Sequence, residues 1–291
     1  MRLPESDAVG WVNGTEVRVA ETGIPLDDPA FHVGLGVFET VALREGRLID
    51  IERHLDRLRE GASRLGIDSP GADVLRATLA KAERTQAASF GWVKIMLTRG
   101  GRWIVLTGAM DPGEEGSNAS AVLLPWRRNP RDPLAGVKTT SYAQNELGLE
   151  EARRRGAEEG IWLNTRGHLT EGCTSNLFLV HHRKVYTPAV GEGILAGVVR
   201  ELAIRAAREL GLSVHEGRIR LKRLEQAHEA FLTSSLRGIR PLVRFECRAV
   251  GDGAPGAVTG TIALGVARLR RSRSGAGTVT TRPETKRGDR R

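Results

Sequence analysis

Between positions 138 and 200, three residue types fall in an order that has chemical meaning. Lys138 stands in Leu134-Ala-Gly-Val-Lys-Thr-Thr140, among apolar residues and small threonines. A lysine taken out of water loses proton affinity, because burial disfavours the ammonium. The neutral amine that results can condense with an aldehyde. Glu171 follows the turn Thr165-Arg-Gly167 and opens the run Glu171-Gly-Cys-Thr-Ser-Asn-Leu-Phe-Leu-Val180. A carboxylate placed there can keep a ring nitrogen protonated. Gly197 opens an amphipathic segment that ends near Leu210. The first amides of a helix, here those of Val198 and Val199, lack internal acceptors and attract phosphate, and glycine lets the backbone come close. Thr174, just after Gly172, can add a hydroxyl from the same side. An amine, a carboxylate and an anion site together suit a cofactor with an aldehyde, a protonatable ring nitrogen and a phosphate. Pyridoxal 5'-phosphate is such a cofactor.

These groups need two kinds of scaffold. Ala8–Val19 reads as a hairpin around Asn13-Gly14, a strong turn signal. Phe31–Leu43 reads as a strand that returns through Leu48-Ile-Asp50, and Asp50 is placed to cap the next helix. Ile51, Leu55, Leu58, Ala62 and Leu65 recur at helical spacing, and a second helix is expected over 72–85. Residues 92–97, 103–107 and 119–124 read as strands. Trp126-Arg-Arg-Asn-Pro-Arg-Asp-Pro133 is polar and proline-rich, as a linker is. Beyond it, helices are expected over 142–155, 197–210, 221–226 and 257–269. Strands are expected over 161–163, 176–180, 185–187, 213–216 and 229–233.

The order and spacing of Lys138, the Glu171–Val180 run and Leu195-Ala-Gly-Val-Val-Arg200 resemble the fold-type IV pyridoxal-phosphate enzymes, the class IV aminotransferase family. That family includes branched-chain aminotransferases, D-amino-acid aminotransferases and aminodeoxychorismate lyases. The resemblance covers residues 9–269. It implies a two-domain fold of α+β and α/β character, like that of the D-amino-acid aminotransferases. The expected division is a small N-terminal α+β domain (1–125), a linker (126–137), a larger cofactor-binding domain (138–269) and a disordered basic tail (270–291). The resemblance also implies a homodimer, with active sites near the interface.

Residue by residue, the resemblance gives Lys138 the aldehyde and Glu171 the ring nitrogen. It gives Arg57 the phosphate, with Arg53 and Arg59 as competitors, and Ser235 a phosphate hydroxyl, with Ser234 as its alternative. Arg102, and after it Arg99, lie where related enzymes bring a guanidinium to a substrate carboxylate, a pairing arginine suits through bidentate geometry. Phe31 stands where D-amino-acid aminotransferases carry a substrate-binding tyrosine, which argues against that subgroup. Gly36-Val-Phe-Glu-Thr-Val41 lacks the Glu-Gly-Ile-Arg continuation common in branched-chain enzymes. The arginine- and proline-bearing approach to Lys138 looks like that of the lyases. The expected reaction is therefore 4-amino-4-deoxychorismate to 4-aminobenzoate and pyruvate, with Lys138 taking the proton from the amine-bearing carbon. The alternative is an aminotransferase acting on branched-chain or other amino acids with 2-oxoglutarate.

Composition bounds the remaining classes. The chain has 291 residues, 40% of them apolar, and no run long enough to cross a bilayer. Met1–Asp7 lacks the apolar stretch of a signal peptide. Two cysteines, Cys173 and Cys247, make no disulfide framework and fit a reducing cytoplasm. No Cys/His cluster has metal-ligand spacing, so no metal is expected. The formal charge of +9 lies mostly after Leu269, where eight Lys/Arg face only Glu284 and Asp289. A nucleic-acid-binding role would rest on that tail, which lacks interleaved aromatics. The expected partner is a small amino-bearing molecule, with neither membrane nor nucleic acid.

Overall fold

The computed structural model describes residues 8–85 and 90–274. Its first half is a six-stranded antiparallel sheet. The hairpin of β1 (Val9–Val12) and β2 (Thr15–Arg18) forms as expected. Its turn residues Asn13 and Gly14 both have positive φ, at 50° and 81°, as a two-residue hairpin turn requires. Strands β3 (Gly36–Arg44), β4 (Arg47–Leu48), β5 (Phe90–Thr98) and β6 (Trp103–Ala109) complete the order β2-β1-β6-β5-β3-β4. A short helix, α1 (Pro29–Val33), precedes β3. Helices α2 (Ile51–Arg64) and α3 (Ala72–Thr85) cover the sheet. Leu55, Leu58 and Ala62 of α2 and Leu75, Leu79 and Ala82 of α3 pack with Val41, Val93, Ile95 and Val105 in one core. That stripe is what their helical spacing dictates.

Two local expectations give way here. Residues 31–33 are helical rather than extended. The Asp28 carboxylate accepts the Ala30 amide at 2.9 Å, Pro29 fills the first turn, and Gly34 ends the helix at φ 68°. These capping signals outweigh the apolar run. Asp50 does not cap α2: its own backbone is left-handed at φ 55°, and its carboxylate accepts instead from Arg270 Nε at 2.9 Å.

The second half holds β7 (Ala119–Arg128), β8 (Glu159–Asn164), β9 (Leu169–Gly172), β10 (Asn176–His181), β11 (Lys184–Pro188), β12 (Ser213–Gly217), β13 (Glu229–Ser234), β14 (Gly238–Phe245) and β15 (Arg248–Ala249). They run β12-β11-β10-β13-β14-β7-β8-β9, with β15 on β14. A further β9–β10 pairing closes the strands from β10 to β9 into a ring. Helices α4 (Ala143–Arg154), α5 (Val198–Glu209), α6 (Leu221–Glu225) and α7 (Ala257–Ser274) surround it. Val199, Leu202, Ala203 and Ala206 of α5 pack with Ile262 and Val266 of α7 over Phe178 and Phe231, whose rings stack at 4.6 Å.

The boundaries expected from the sequence shift at both ends of this half. The strand read at 119–124 is β7, which pairs in parallel with β8 and β14 and so belongs to the second sheet. It runs through residues 126–128 of the expected linker. Pro125 is tolerated because it falls within the register shift between Leu123 and Arg127, where a missing N–H breaks no ladder bond. The last helix continues past Leu269 to Ser274, and Arg270, expected in a disordered tail, pairs with Asp50. Residues 275–291 of that tail lie outside the described residues.

The two sheets meet along the approach to Lys138. Phe38 N donates to Lys138 O and Thr140 N to Gly36 O, both at 2.9 Å, so this segment is zipped to the start of β3. Arg44 reaches across to the Leu236 carbonyl at 2.6 Å. Among the described residues no helix is long and apolar enough to cross a membrane, and no group of His, Cys, Asp and Glu could hold a metal.

Candidate active site

A cleft of about 800 Å³ opens between the sheets. Lys138, Glu171, Arg57, Thr174, Val198, Val199 and Ser235 all line it, although they come from elements spread over most of the chain. Lys138 enters from the zipped segment. Its Nζ lies 4.4 Å from the centre of the Phe38 ring and 5.4 Å from that of Tyr142. Burial lowers its pKa from the ordinary lysine value to about 8, while Glu39 and Glu171 oppose the shift. A useful fraction of neutral amine therefore exists near neutrality.

Glu171 sits on β9, 8% exposed. Its Oε1 accepts from Arg128 at 3.0 Å, and its Oε2 accepts from Asn176 Nδ2 at 3.1 Å and Leu195 N at 3.0 Å. Burial raises its pKa; the Arg128 guanidinium and the Leu195 amide pull it back. Arg128 is itself fixed by Asn145 Oδ1 at 2.5 Å and by the Trp162 ring, 4.4 Å from its guanidinium carbon. The carboxylate is thus aimed by three donors from β7, β10 and the loop before α5.

The anion end lies at the start of α5. The first helical bond runs from Glu201 N to Gly197 O, so the amides of Val198, Val199 and Arg200 have no acceptor within the helix. No side chain caps them. A Cβ at position 197 would stand 2.0 Å from Asn176 Oδ1, so only glycine fits. Arg57 comes in from α2: its Nε and one Nη bond Glu39 at 2.7 Å each, and its other Nη donates to the Ala196 carbonyl at 2.8 Å. Its competitors are engaged elsewhere, Arg53 with Glu201 and exposed Arg59 with Asp56. Ser234 and Ser235 both line the cleft, as does Thr233, whose buried hydroxyl has no partner. An uncapped helix start, an arginine and an orphan buried hydroxyl fit a phosphate, and Lys138 and Glu171 fit the aldehyde and ring of pyridoxal phosphate.

One expected phosphate ligand is committed elsewhere. The Thr174 hydroxyl donates to Glu159 Oε2 at 2.7 Å, and a hydroxyl has one proton to give. Glu159, 3% exposed, also accepts the Cys173 amide at 2.9 Å and the Ser175 hydroxyl at 3.0 Å, so it shapes the turn after Glu171. Cys173 is buried, and burial raises its pKa, so it is no nucleophile.

The three expected substrate contacts do not line this cleft. Phe31 lies on α1 and is 61% exposed. Arg99 donates to the Leu65 carbonyl at 3.0 Å, and Arg102 lies 3.6 Å from Asp28. Both arginines sit at the β5–β6 turn and are engaged by acceptors distant in sequence, the carbonyl after α2 and the carboxylate before α1. Other residues that line the cleft include Thr40, Trp92, Lys94, Arg127, Arg153 and Arg237. Lys94 is 5% exposed, with Nζ 5.0 Å from the Phe38 ring, and burial lowers its pKa against the pull of Glu146. Sequence reasoning missed Lys94, Arg128 and Asn176. Lys94 lies between the fully buried Val93 and Ile95 of β5, and a lysine inside that apolar run was the one available signal; the other two are named only by their contacts.

A family model described as amino-transferase class IV matches residues 36–245. A Methanocaldococcus jannaschii protein provisionally named a branched-chain-amino-acid aminotransferase is 29% identical over 270 residues, 86% of this chain and 92% of that one. The aminodeoxychorismate lyase of Bacillus subtilis is 27% identical over 252 residues, 81% and 86% of the two chains. The solved branched-chain aminotransferase of Escherichia coli superposes with a TM-score of 0.83 at 24% identity, covering 91% of this chain and 95% of that one.

Proposed function

The chain belongs to the class IV aminotransferases, which makes it a pyridoxal-phosphate enzyme, and from that premise we propose that it is an aminodeoxychorismate lyase. The observation that carries this reading is the excess of cations in the lining of the cleft. Lys94, Arg127, Arg153 and Arg237 line it with Thr40, Trp92, Asp132 and Glu158, and Arg237 also pairs with Glu114. A branched aliphatic side chain would gain little from burial against such groups. A substrate with two carboxylates, as aminodeoxychorismate has, finds cations for both.

When bound, pyridoxal phosphate supplies an aldehyde for the substrate amine and a ring that withdraws electrons from the carbon beside it. The chain does the rest. The α5 amides, Arg57 and Ser235 hold the phosphate. Glu171, aimed by Arg128, Asn176 and the Leu195 amide, would hold the proton on the ring nitrogen. Lys138 Nζ takes the proton from the amine-bearing carbon. Loss of pyruvate then leaves an aromatic ring, and Lys138 helps release 4-aminobenzoate. An aminotransferase would use the same groups and return the proton to the cofactor. That second reading is favoured by the 29% identical relative.

The test is product analysis on purified enzyme. With aminodeoxychorismate, 4-aminobenzoate and pyruvate are expected in equal amounts. Faster conversion of branched-chain amino acids plus 2-oxoglutarate, with no 4-aminobenzoate formed, would replace the lyase reading by the aminotransferase one.

A further inference from the structure

Two buried ionisable side chains beside the anion end have no part in the chemistry above. Glu39 of β3 is fully buried, and His54 of α2 is 1% exposed. Glu39 Oε2 meets His54 Nδ1 at 2.7 Å and also accepts from Arg57 at 2.7 Å, while its Oε1 accepts from Arg57 Nε. The other ring nitrogen, His54 Nε2, lies 3.2 Å from Ser235 Oγ. Ser235 follows β13 in the second sheet, so this contact spans the cleft. One buried carboxylate thus reaches both an arginine and, through a histidine, a hydroxyl from the opposite sheet.

Burial alone would raise the pKa of Glu39, but Arg57 and His54 outweigh it and hold the value at about 2. An ionised carboxylate only accepts hydrogen bonds, so Nδ1 of the histidine carries the proton. With Nδ1–H given to Glu39, a proton on Nε2 is donated to Ser235 Oγ, which fixes that oxygen and leaves the hydroxyl's own proton free. A buried charged trio is an expensive way to fill a core, and here its Arg57 guanidinium donates to the Ala196 carbonyl just before α5, while Ser235 lines the same cleft as Gly197–Arg200.

We propose that His54 is a positioning residue for the cofactor phosphate: it sets the Ser235 hydroxyl through Nε2, while Glu39 sets His54 and Arg57 together. The hydroxyl oxygen stays where His54 holds it, and only its hydrogen turns toward an arriving anion. The inference rests on the cofactor reading and is independent of the substrate.

The experiment titrates apoenzyme with pyridoxal phosphate and with pyridoxal, which lacks the phosphate, in wild type, His54→Asn, Ser235→Ala and the double variant. Asparagine keeps a donor for Glu39 but cannot reach Ser235. Losing one hydrogen bond to a charged group should weaken pyridoxal phosphate binding about ten-fold in each single variant and leave pyridoxal binding unchanged. The double variant should bind no worse than Ser235→Ala. Unchanged phosphate affinity, equal loss for both compounds, or losses that multiply in the double variant would each overturn the proposal. Should His54→Asn fail to fold, the nitrogen NMR signal of His54 Nε2 in labelled apoenzyme gives a second measure. It should move in Ser235→Ala and not in Ser235→Thr; an unmoved signal in Ser235→Ala overturns the proposal. Wild type that takes up neither compound removes the cofactor reading itself.

Discussion

At the residue scale the chemistry turns on Lys138. Its amine should give a yellow protein whose visible band disappears on borohydride treatment, with the reduced adduct mapped to Lys138; an adduct on Lys94 would reassign the nucleophile. The depressed pKa gives a second expectation. Only the neutral amine attacks an aldehyde, so the rate of cofactor uptake by apoenzyme should rise with pH and level off above about 8. A rate still climbing toward pH 10 would mark an ordinary solvated lysine. Glu171→Gln keeps the shape and loses the charge. Turnover should fall about 10²-fold while cofactor stays bound, the size of effect seen when a preorganised electrostatic partner is removed. Near wild-type turnover would make Glu171 structural.

At the scale of elements, the start of α5 is the part most exposed to test. Gly197→Ala places a methyl against Asn176 Oδ1, which also shares the loop that feeds the Leu195 amide to Glu171. Fluorescence titration should show cofactor affinity reduced by at least about ten-fold, since both phosphate and ring anchors shift. Wild-type affinity would mean the helix start is not the anion site. Most elements follow from periodicity, as the buried stripe of α2 does. Those that do not follow have local reasons. Helix α1 is set by Asp28 and Pro29 against an apolar run. Strand β9 is four residues long, and β14 carries Pro241, Arg240 and Arg244, with Arg240 buried through an ion pair to Glu158. Neither pattern alternates cleanly enough to read.

At the scale of the whole molecule, two expectations concern its surfaces. Leu26, Phe31 and Val33 are 77%, 61% and 64% exposed on and beside α1. An apolar group of that kind suits a contact with a second copy. Light scattering should show a dimer, and Phe31→Ala or Arg102→Ala should raise KM only if a second copy brings these residues to the substrate. An active monomer would contradict this. The second expectation corrects the C-terminal boundary. Truncation after Ser274 should leave the melting temperature unchanged, whereas truncation after Leu269 removes the Arg270–Asp50 pair and should lower stability by about 1 kcal/mol or less. Equal melting of both shortened proteins would show that the last turn of α7 contributes nothing.

By itself the sequence determined the family and the cofactor, and it singled out Lys138, Glu171, Gly197, Arg57 and Ser235, which the fold brings to one cleft, because each lies in a short motif. It also determined the main helices and the first hairpin, whose signals are local in the chain. Only the tertiary structure decided the company those residues keep. Arg128 meets Glu171, His54 meets Ser235, and Lys94 faces the same ring as Lys138, through contacts between residues far apart in sequence. Likewise, Arg99, Arg102 and Phe31 are directed away from the cleft by acceptors and caps that no spacing reveals. The physical reason is one of range: periodicity and capping act over a few residues, whereas hydrogen-bond partners and desolvation are set by whatever the fold brings within about 3 Å.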